Sequence, residues 1–326
     1  MQALLFLIGL LAVAAGIGIQ SAQAQTPQDW PNRPVRLIVP FAAGGSTDVA
    51  ARLIGDYLSR TTGQQFFVEN RAGANGVIGA DAAAKSDPDG YTVLVTADAI
   101  ASNPHVYKVA HDPLKDLLPV IQLSRQPVVL AVHPSLGVNT LDELVALVKR
   151  EPGLRYATGS GQGSPQHMVV QWFAKLAGIE LEQVAYRGGG AAINDLIAGH
   201  VKLGSLGSTP LIPHYKAGAL RLLAQTTEAR SQSLPDVPTF EQAGIKGLIL
   251  DQWLGVLVPA GTSAVIIARL NADIGKALAD PSIQANLVQS AQEPIGGTPE
   301  AFALRMREDF EKYGRLVQEL NIKVAR

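Results

Sequence analysis

The chain has no cysteine among its 326 residues. That removes disulfides, thiolate zinc sites, a cysteine nucleophile and a lipid-modified N-terminal cysteine together. Charge is scarce as well: 17% of residues are charged, and 27 Lys and Arg against 28 Asp and Glu leave a formal net charge of −1. With no basic excess and no long Lys/Arg run, non-specific binding to a phosphate backbone has no driving force, and nucleic acid is not an expected partner. The 6 histidines, His105, His111, His133, His167, His200 and His214, are scattered and show no H-E-x-x-H spacing, so no metal set is visible. A G-x-x-x-x-G-K-[ST] loop is absent, and Gly159-Ser160-Gly161-Gln162-Gly163-Ser164 carries Ser164 where a dinucleotide-binding fingerprint needs its third glycine. A G-x-S-x-G elbow is also missing, and no serine in a glycine loop has a His and Asp set visible in the sequence. Catalytic residues, metals and cofactors are therefore all expected to be none.

What the chain does have is apolar residues at 47%, 32 glycines and 20 prolines. Its length suits about two domains. Part of the apolar excess lies in Met1 to Ala24, where the run Ala3 to Ile19 contains no charge and Ala22-Gln23-Ala24 follows. This is the pattern of a cleavable secretory signal with cleavage after Ala24, although Met1-Gln2-Ala3 lacks the usual basic residue; the alternative is an uncleaved anchor. Export without cysteine points to a bacterial periplasm rather than to a disulfide-stapled extracellular domain.

Beyond Ala24, β-rich runs alternate with helical stretches, which predicts an α/β architecture with largely parallel sheets. Val35 to Val39 reads as a strand, Pro40 to Asp48 as a glycine-rich loop, and Val49, Leu53, Ile54, Tyr57 and Leu58 recur at helical spacing. Phe66 to Glu69, Tyr91 to Val95 and Val128 to Val132 read as further strands, and Thr140-Leu141-Asp142-Glu143 as a capping box. The strand, glycine loop, helix unit then returns twice. Arg155 to Thr158 leads through Gly159 to Ser164 into a helix begun by Pro165, and Val184 to Tyr186 leads through Arg187 to Gly190 into a helix that stops at Gly199. Near the C-terminus, Phe302, Met306, Phe310, Tyr313, Val317 and Leu320 form one stripe, expected to be a core face.

A glycine loop running into a helix start lets backbone approach a ligand and aims free N–H groups at it, which suits a carboxylate or a phosphate. Each loop alone is also what a tight βα turn requires; three in one chain favour an anion site. Asp48 either caps its helix or holds a polar ligand group, His167 either hydrogen-bonds within its helix or touches ligand, and Arg187 either grips a carboxylate or is solvated. Asp195 is expected on a helix surface, and Trp253 in core or hinge packing.

Several longer stretches together carry a resemblance: Trp30-Pro31-Asn32-Arg33-Pro34, Val39 through Asp48, Val68 through Gly76, Asp87 through Thr92, Tyr186-Arg187-Gly188-Gly189 through Leu196, Leu234 through Thr239, and Pro259-Ala260-Gly261-Thr262. From Trp30 to the C-terminus the sequence resembles the periplasmic receptors of tripartite tricarboxylate transporters, the Bug receptors. The resemblance implies a two-lobed, type II Venus-flytrap fold with a ligand cleft between lobes and crossovers near Arg125 to Val128 and Asp251 to Leu254. Residues 1–24 would be the signal, 25–125 with 255–326 the first lobe, and 126–254 the second. Residues implied to bind ligand are Phe41, Ala43, Gly44, Gly45, Ser46, Thr47 and Asp48 in the first loop, where main-chain N–H groups and ordered water hold a carboxylate. Ser160, Gly163, Ser164 and His167 are implied in the second loop, and Tyr186, Arg187 and Gly188 in the third. Asp98, in the variable loop Ala97 to Asn103, is expected to face the far end of the ligand. The implied function is non-enzymatic capture of a mono- or dicarboxylate and its delivery to the transporter's membrane permease subunits, by a monomer. The alternatives are an exported α/β enzyme acting on a small anion and a ligand sensor for a signalling partner.

Overall fold

In the computed structural model, residues 30–323 are described, and the expected signal segment with its cleavage site lies outside them. The N-terminal part is a parallel βαβαβ arrangement. Strand β1 (Val35–Val39) lies between β2 (Phe66–Asn70) and β3 (Thr92–Ala97), with Val35 opposite Phe66 and Arg36 opposite Thr92. Helices α1 (Ser46–Thr62) and α2 (Val77–Ala84) make the crossovers, and α1 ends at Gly63 in the left-handed region. A short helix, α3 (Ala99–Ser102), follows β3.

The long strand β4 (Leu117–Val132) joins two parts of the sheet. From Leu117 to Pro127 it runs antiparallel to β9 (Asp251–Pro259), and β10 (Glu293–Gly296) pairs with it there too; β9 in turn pairs with β3. From Val128 onward it pairs instead with β7 (Leu203–Gly207) and β8 (Arg221–Gln225). Strand β5 (Arg155–Thr158) lies parallel to β7 and to the edge strand β6 (Glu182–Ala185), giving the order β2-β1-β3-β9-β4-β7-β5-β6. The partners of β4 therefore change between Pro127 and Val128. Sequence periodicity finds only Val128 to Val132 of this strand, because Pro119 and Pro127 read as breakers. The fold accommodates Pro119 at a register slip between Pro119 and Ile121, where the missing N–H breaks the ladder locally.

Helices α4 (Leu141–Arg150), α5 (Pro165–Ala177), α6 (Gly189–Ile197) and α7 (Ile212–Lys216) cover the second part, and α8 (Ala264–Ala279), α9 (Pro281–Gln289) and α10 (Pro299–Glu319) complete the first. Each end of the molecule has its own apolar packing. Ile38, Leu94, Trp253, Leu257 and Phe302 form one cluster, while Val128, Leu130, Tyr156 and Phe173 form another on one face of the second part and Val129, Ile193 and Leu206 a third on its other face. The stripe of α10 serves two of these clusters, Phe302 and Met306 in the first and Tyr313 and Val317 in the second. Among the described residues no helix is long and apolar enough to cross a membrane.

Candidate functional site

One cavity, of about 530 Å³, is lined by none of the residues expected to bind ligand, though it includes Arg125 and Asp251 of the expected crossovers. Four of its charged walls are paired, Arg125 with Glu293 at 2.8 and 2.9 Å and Arg305 with Asp251 at 2.8 Å, and Arg230 bonds Gln242 and the Pro235 carbonyl at 2.7 Å. The chemistry expected from the glycine loops lies elsewhere. Two smaller cavities, about 30 and 160 Å³, share Phe41, Gly159 and Ser160 as walls.

The smaller one is bounded by Gly45, Ser46 and Thr47 of the first loop, Gln166, Gly189, Gly207, Pro210 and Gln252. The larger one continues past Asn75, Tyr107, Ala185, Tyr186 and Arg187. Arg187 is the one charged residue lining either cavity, and its side chain is exposed. Three hydrogen bonds tie the two parts of the fold across this space: Ala42 N–H to the Arg187 carbonyl at 3.0 Å, Gly161 N–H to Asn75 Oδ1 at 3.1 Å, and the Tyr107 hydroxyl to the Gln162 carbonyl at 2.7 Å.

Helix starts near the cavities differ from those of most longer helices, and the short helices α3 and α7 also start without a side-chain cap. Helices α4, α5, α8, α9 and α10 are each capped by a side chain, from Thr140, Ser164, Ser263, Asp280 and Thr298. Helices α1, α2 and α6 instead start at Gly45, Gly76 and Gly188, with no side-chain cap. Gly45, Gly76 and Gly189 all line the two cavities. At α1 and α6, leading N–H groups that a Ser, Thr or Asp would normally occupy are thus left for another acceptor, with the partial positive end of each helix behind them, whereas at α2 a 3-10 turn over Ala74–Gly76 already bonds the Val77 N–H to the Ala74 carbonyl and the Gly76 N–H to the Gly73 carbonyl.

The expected residues divide accordingly. Phe41, Gly45, Ser46, Thr47, Ser160, Tyr186 and Arg187 line the cavities, whereas Ala43, Gly44, Asp48, Gly163, Ser164, His167 and Gly188 do not and instead shape the loops behind them. Asp48 is buried and fully engaged: it accepts from Gly44 N–H at 3.0 Å, Asn70 Nδ2 at 2.9 Å and both Arg52 nitrogens at 3.0 Å. Burial works to raise its pKa, but the bonds from Arg52, Gly44 and Asn70 outweigh it and hold the carboxyl below its ordinary value. Its work is to hold Gly44, at φ +82°, in the turn that aims the loop. Asp48→Ala is expected to cost about 2 kcal/mol at neutral pH. The carboxylate's contribution is full above about pH 4 and fades as pH falls through the lowered pKa, so wild type and variant should converge in acid denaturation.

His167 is also committed. Its Nδ1 accepts from Gly163 N–H at 3.2 Å, and burial lowers its pKa to about 4, so it is neutral and brings no charge to an anion. The Tyr186 hydroxyl donates to Asp195 at 2.5 Å, which leaves its ring, not its hydroxyl, to form cavity wall. Asp98 overturns its expectation: it is 0% exposed, lines neither cavity, and bonds Tyr313 and Gln252 in the interior. A variable loop suggests a place at the far end of the ligand, but the residue falls one position after a fully buried strand, where the chain is still inside the core.

Sequence reasoning missed Asn75, Tyr107, Gln166 and Gln252 as cavity walls. Asn75 left a readable sign, an Asn-Gly pair: Ala74 and Asn75 both have left-handed φ, at 47° and 55°, a conformation that Asn tolerates and Ala resists. The glutamines left none, since uncharged polar residues inside apolar strands have no spacing rule.

With the geometry in place, the model of the family described as "Tripartite tricarboxylate transporter family receptor" matches residues 50–322. The chain belongs to that family. It is 34% identical to Protein BugT of Bordetella pertussis over 99% of both chains. Among solved structures it resembles Rpa4515 of R. palustris with adipate at 32% identity and a TM-score of 0.86, covering 91% of this chain and 100% of that one. It also resembles MatC of Rhodopseudomonas palustris with bound malate, at 29% identity and a TM-score of 0.81, covering 88% of this chain and 100% of the other. The fold is the two-lobed α/β fold of the periplasmic binding proteins. The family is one of solute-binding receptors, not of enzymes.

Proposed function

We propose that this receptor works in the periplasm, after removal of residues 1–24, and captures a small mono- or dicarboxylate between its lobes for delivery to the membrane permease subunits of a tripartite tricarboxylate transporter. The observation that carries the proposal is the convergence of two helix starts without side-chain caps, α1 at Gly45 and α6 at Gly188, on the smaller of two cavities that share Phe41, Gly159 and Ser160 as walls. A carboxylate is the ligand such N–H groups accept without a neutralising side chain, which agrees with walls that hold one charged residue. Adipate and malate in the two similar structures are both carboxylates. The lobes divide at 126 and 254, and the change of β4 partners between Pro127 and Val128 supports the first boundary. First-lobe contacts come from Phe41 and Gly45 to Thr47, and second-lobe contacts from Ser160 and Arg187. Closure over the ligand is then a population shift driven by contacts made to both lobes at once.

A thermal-shift screen of adipate, malate, citrate, acidic amino acids and aromatic acids against the mature, ligand-free chain tests this. A carboxylate present at a hundredfold its Kd should add about 2.7 kcal/mol, visible as a rise of about 5 °C in Tm. If no carboxylate in the set moves the melting curve, the anion-site reading fails.

A further inference from the structure

The buried carboxyl of Asp98 opens a chain of hydrogen bonds that crosses the middle of the sheet. Asp98 Oδ2 accepts from the Tyr313 hydroxyl at 2.7 Å and Oδ1 from Gln252 Nε2 at 3.2 Å. Gln252 Oε1 accepts from Gln126 Nε2 at 2.9 Å, these two residues facing each other in the β4–β9 register. Gln126 Oε1 in turn accepts from the Thr209 hydroxyl at 3.0 Å, the Ser208 hydroxyl at 3.3 Å and the Thr209 N–H at 3.4 Å. Gln126 and Gln252 are 2% and 4% exposed, and Gln252 is also a wall of the smaller cavity beside Ser46 and Thr47.

The two ends of this chain fix its direction. A backbone N–H is always a donor, so Thr209 requires an oxygen from Gln126. A carboxylate is always an acceptor, so Asp98 requires the NH₂ of Gln252. The two amides between them then fit in one orientation only, the one observed. A neutral Asp98 must place an O–H somewhere. On Oδ1 it meets the NH₂ of Gln252, and relieving that clash by turning Gln252 and then Gln126 would aim a second NH₂ at the Thr209 N–H. On Oδ2 it takes the acceptor place of the Tyr313 oxygen and leaves the Tyr313 proton without its partner. The chain is therefore satisfied with the carboxylate and frustrated with the acid.

We propose that Asp98 is a positioning residue: without touching the ligand, its charge sets the orientation of the Gln252 amide and so the polar face that the ligand cavity meets. The titratable and charged groups that act on Asp98 are Tyr313, Asp309 and Arg305, all on α10; of the neighbouring groups on other elements, Asp251 on β9 is held by Arg305 at 2.8 Å and His105, after α3, is bonded to the Phe310 carbonyl at 2.8 Å. Burial, with the Asp309 charge added, pushes the carboxyl up to about 7 against the bonds from Tyr313 and Gln252 and the Arg305 charge. The switch between the two states of the chain thus lies near neutral pH.

This inference rests on the cavity beside Gln252 being the carboxylate site proposed above, and its test has an arm that does not. In the mature, ligand-free chain, the side-chain amide resonances of Gln126 and Gln252 should titrate together between pH 5.5 and 8.5 with one midpoint. They should become flat in Asp98→Asn, and Tyr313→Phe, which removes one bond to the carboxylate, should move the midpoint upward. With adipate as probe, affinity should fall about fivefold from pH 8 to pH 6, the factor of one hydrogen bond, and should lose that dependence in Asp98→Asn. Amide resonances that stay flat in the wild type, or that titrate unchanged in Asp98→Asn, overturn the proposal, as does an adipate affinity whose pH profile the variant leaves intact. Failure of adipate and of every other carboxylate to bind would overturn the assignment of the cavity and with it the effect on ligand, while the amide resonances would still decide whether Asp98 sets the chain.

Discussion

Gly190→Ala is expected to weaken carboxylate binding by about ten- to a hundredfold while leaving the Tm of the ligand-free protein nearly unchanged. Gly190 lies in the first turn of α6, where alanine is the better helix former by about 1 kcal/mol, so the second part of the fold loses nothing by the exchange. The obstacle comes from the other side of the cavities. A Cβ at Gly190 would overlap the Ala43 carbonyl oxygen and stand 3.3 Å from Gly44 Cα, both backbone atoms of the first loop that cannot turn aside. Overpacking of this kind costs about 1–3 kcal/mol, and under the closure proposed above it falls on the arrangement in which the two loops meet and not on one in which they part. Calorimetric titration with whichever carboxylate raises the Tm most, set beside melting curves without ligand, checks both halves of the expectation. Wild-type affinity in the variant would mean that the loops do not need to meet at this distance to hold ligand.

Trp253→Ala should destabilise the protein by about 4 kcal/mol, the largest effect expected of any single truncation in the first core. The side chain is 0% exposed, meets Phe302 edge-on at 5.0 Å between centroids, and donates from Nε1 to Asp309 at 2.7 Å. Truncation leaves a cavity in close-packed surroundings and removes one partner from a nearly buried carboxylate, though Arg305 still bonds Asp309 at 2.8 Å. Trp253→Phe restores most of the volume but not the N–H, and should cost about 1–2 kcal/mol. Urea denaturation of the three proteins measures the ladder. A loss below about 1 kcal/mol for the alanine variant would show that this part of the sheet relaxes freely around β9.

The glycine loops were legible because a strand followed by a glycine turn and an apolar helical period is a local pattern. Each of the three places a helix start, and Thr140 caps its helix as the capping box suggests. The part of β4 from Leu117 to Pro127 was not legible, since Pro119 and Pro127 argue against a strand, and only β9 and β10 alongside make the extended conformation worthwhile. The expected site residues sort by the same rule. Those whose backbone forms a wall, such as Gly45, Ser46 and Thr47, lie at the cavities. Those chosen for a charged or titratable side chain divide: Arg187 lines the larger cavity, whereas Asp48, Asp98 and His167 are bonded inside the protein, where Gly44, Gln252, Tyr313 and Gly163 satisfy them.

By itself, the sequence determined the α/β character and the absence of thiol chemistry, and it pointed to glycine loops suited to an anion, because these depend on residue type and on spacings of a few positions. Tertiary structure alone decided which helix starts share a cavity, that the glutamines of two strands 126 positions apart would bond each other, and that Asp98 would face inward. Those outcomes depend on which distant segments meet, and a polar side chain takes its role from the partner that burial brings within hydrogen-bond reach.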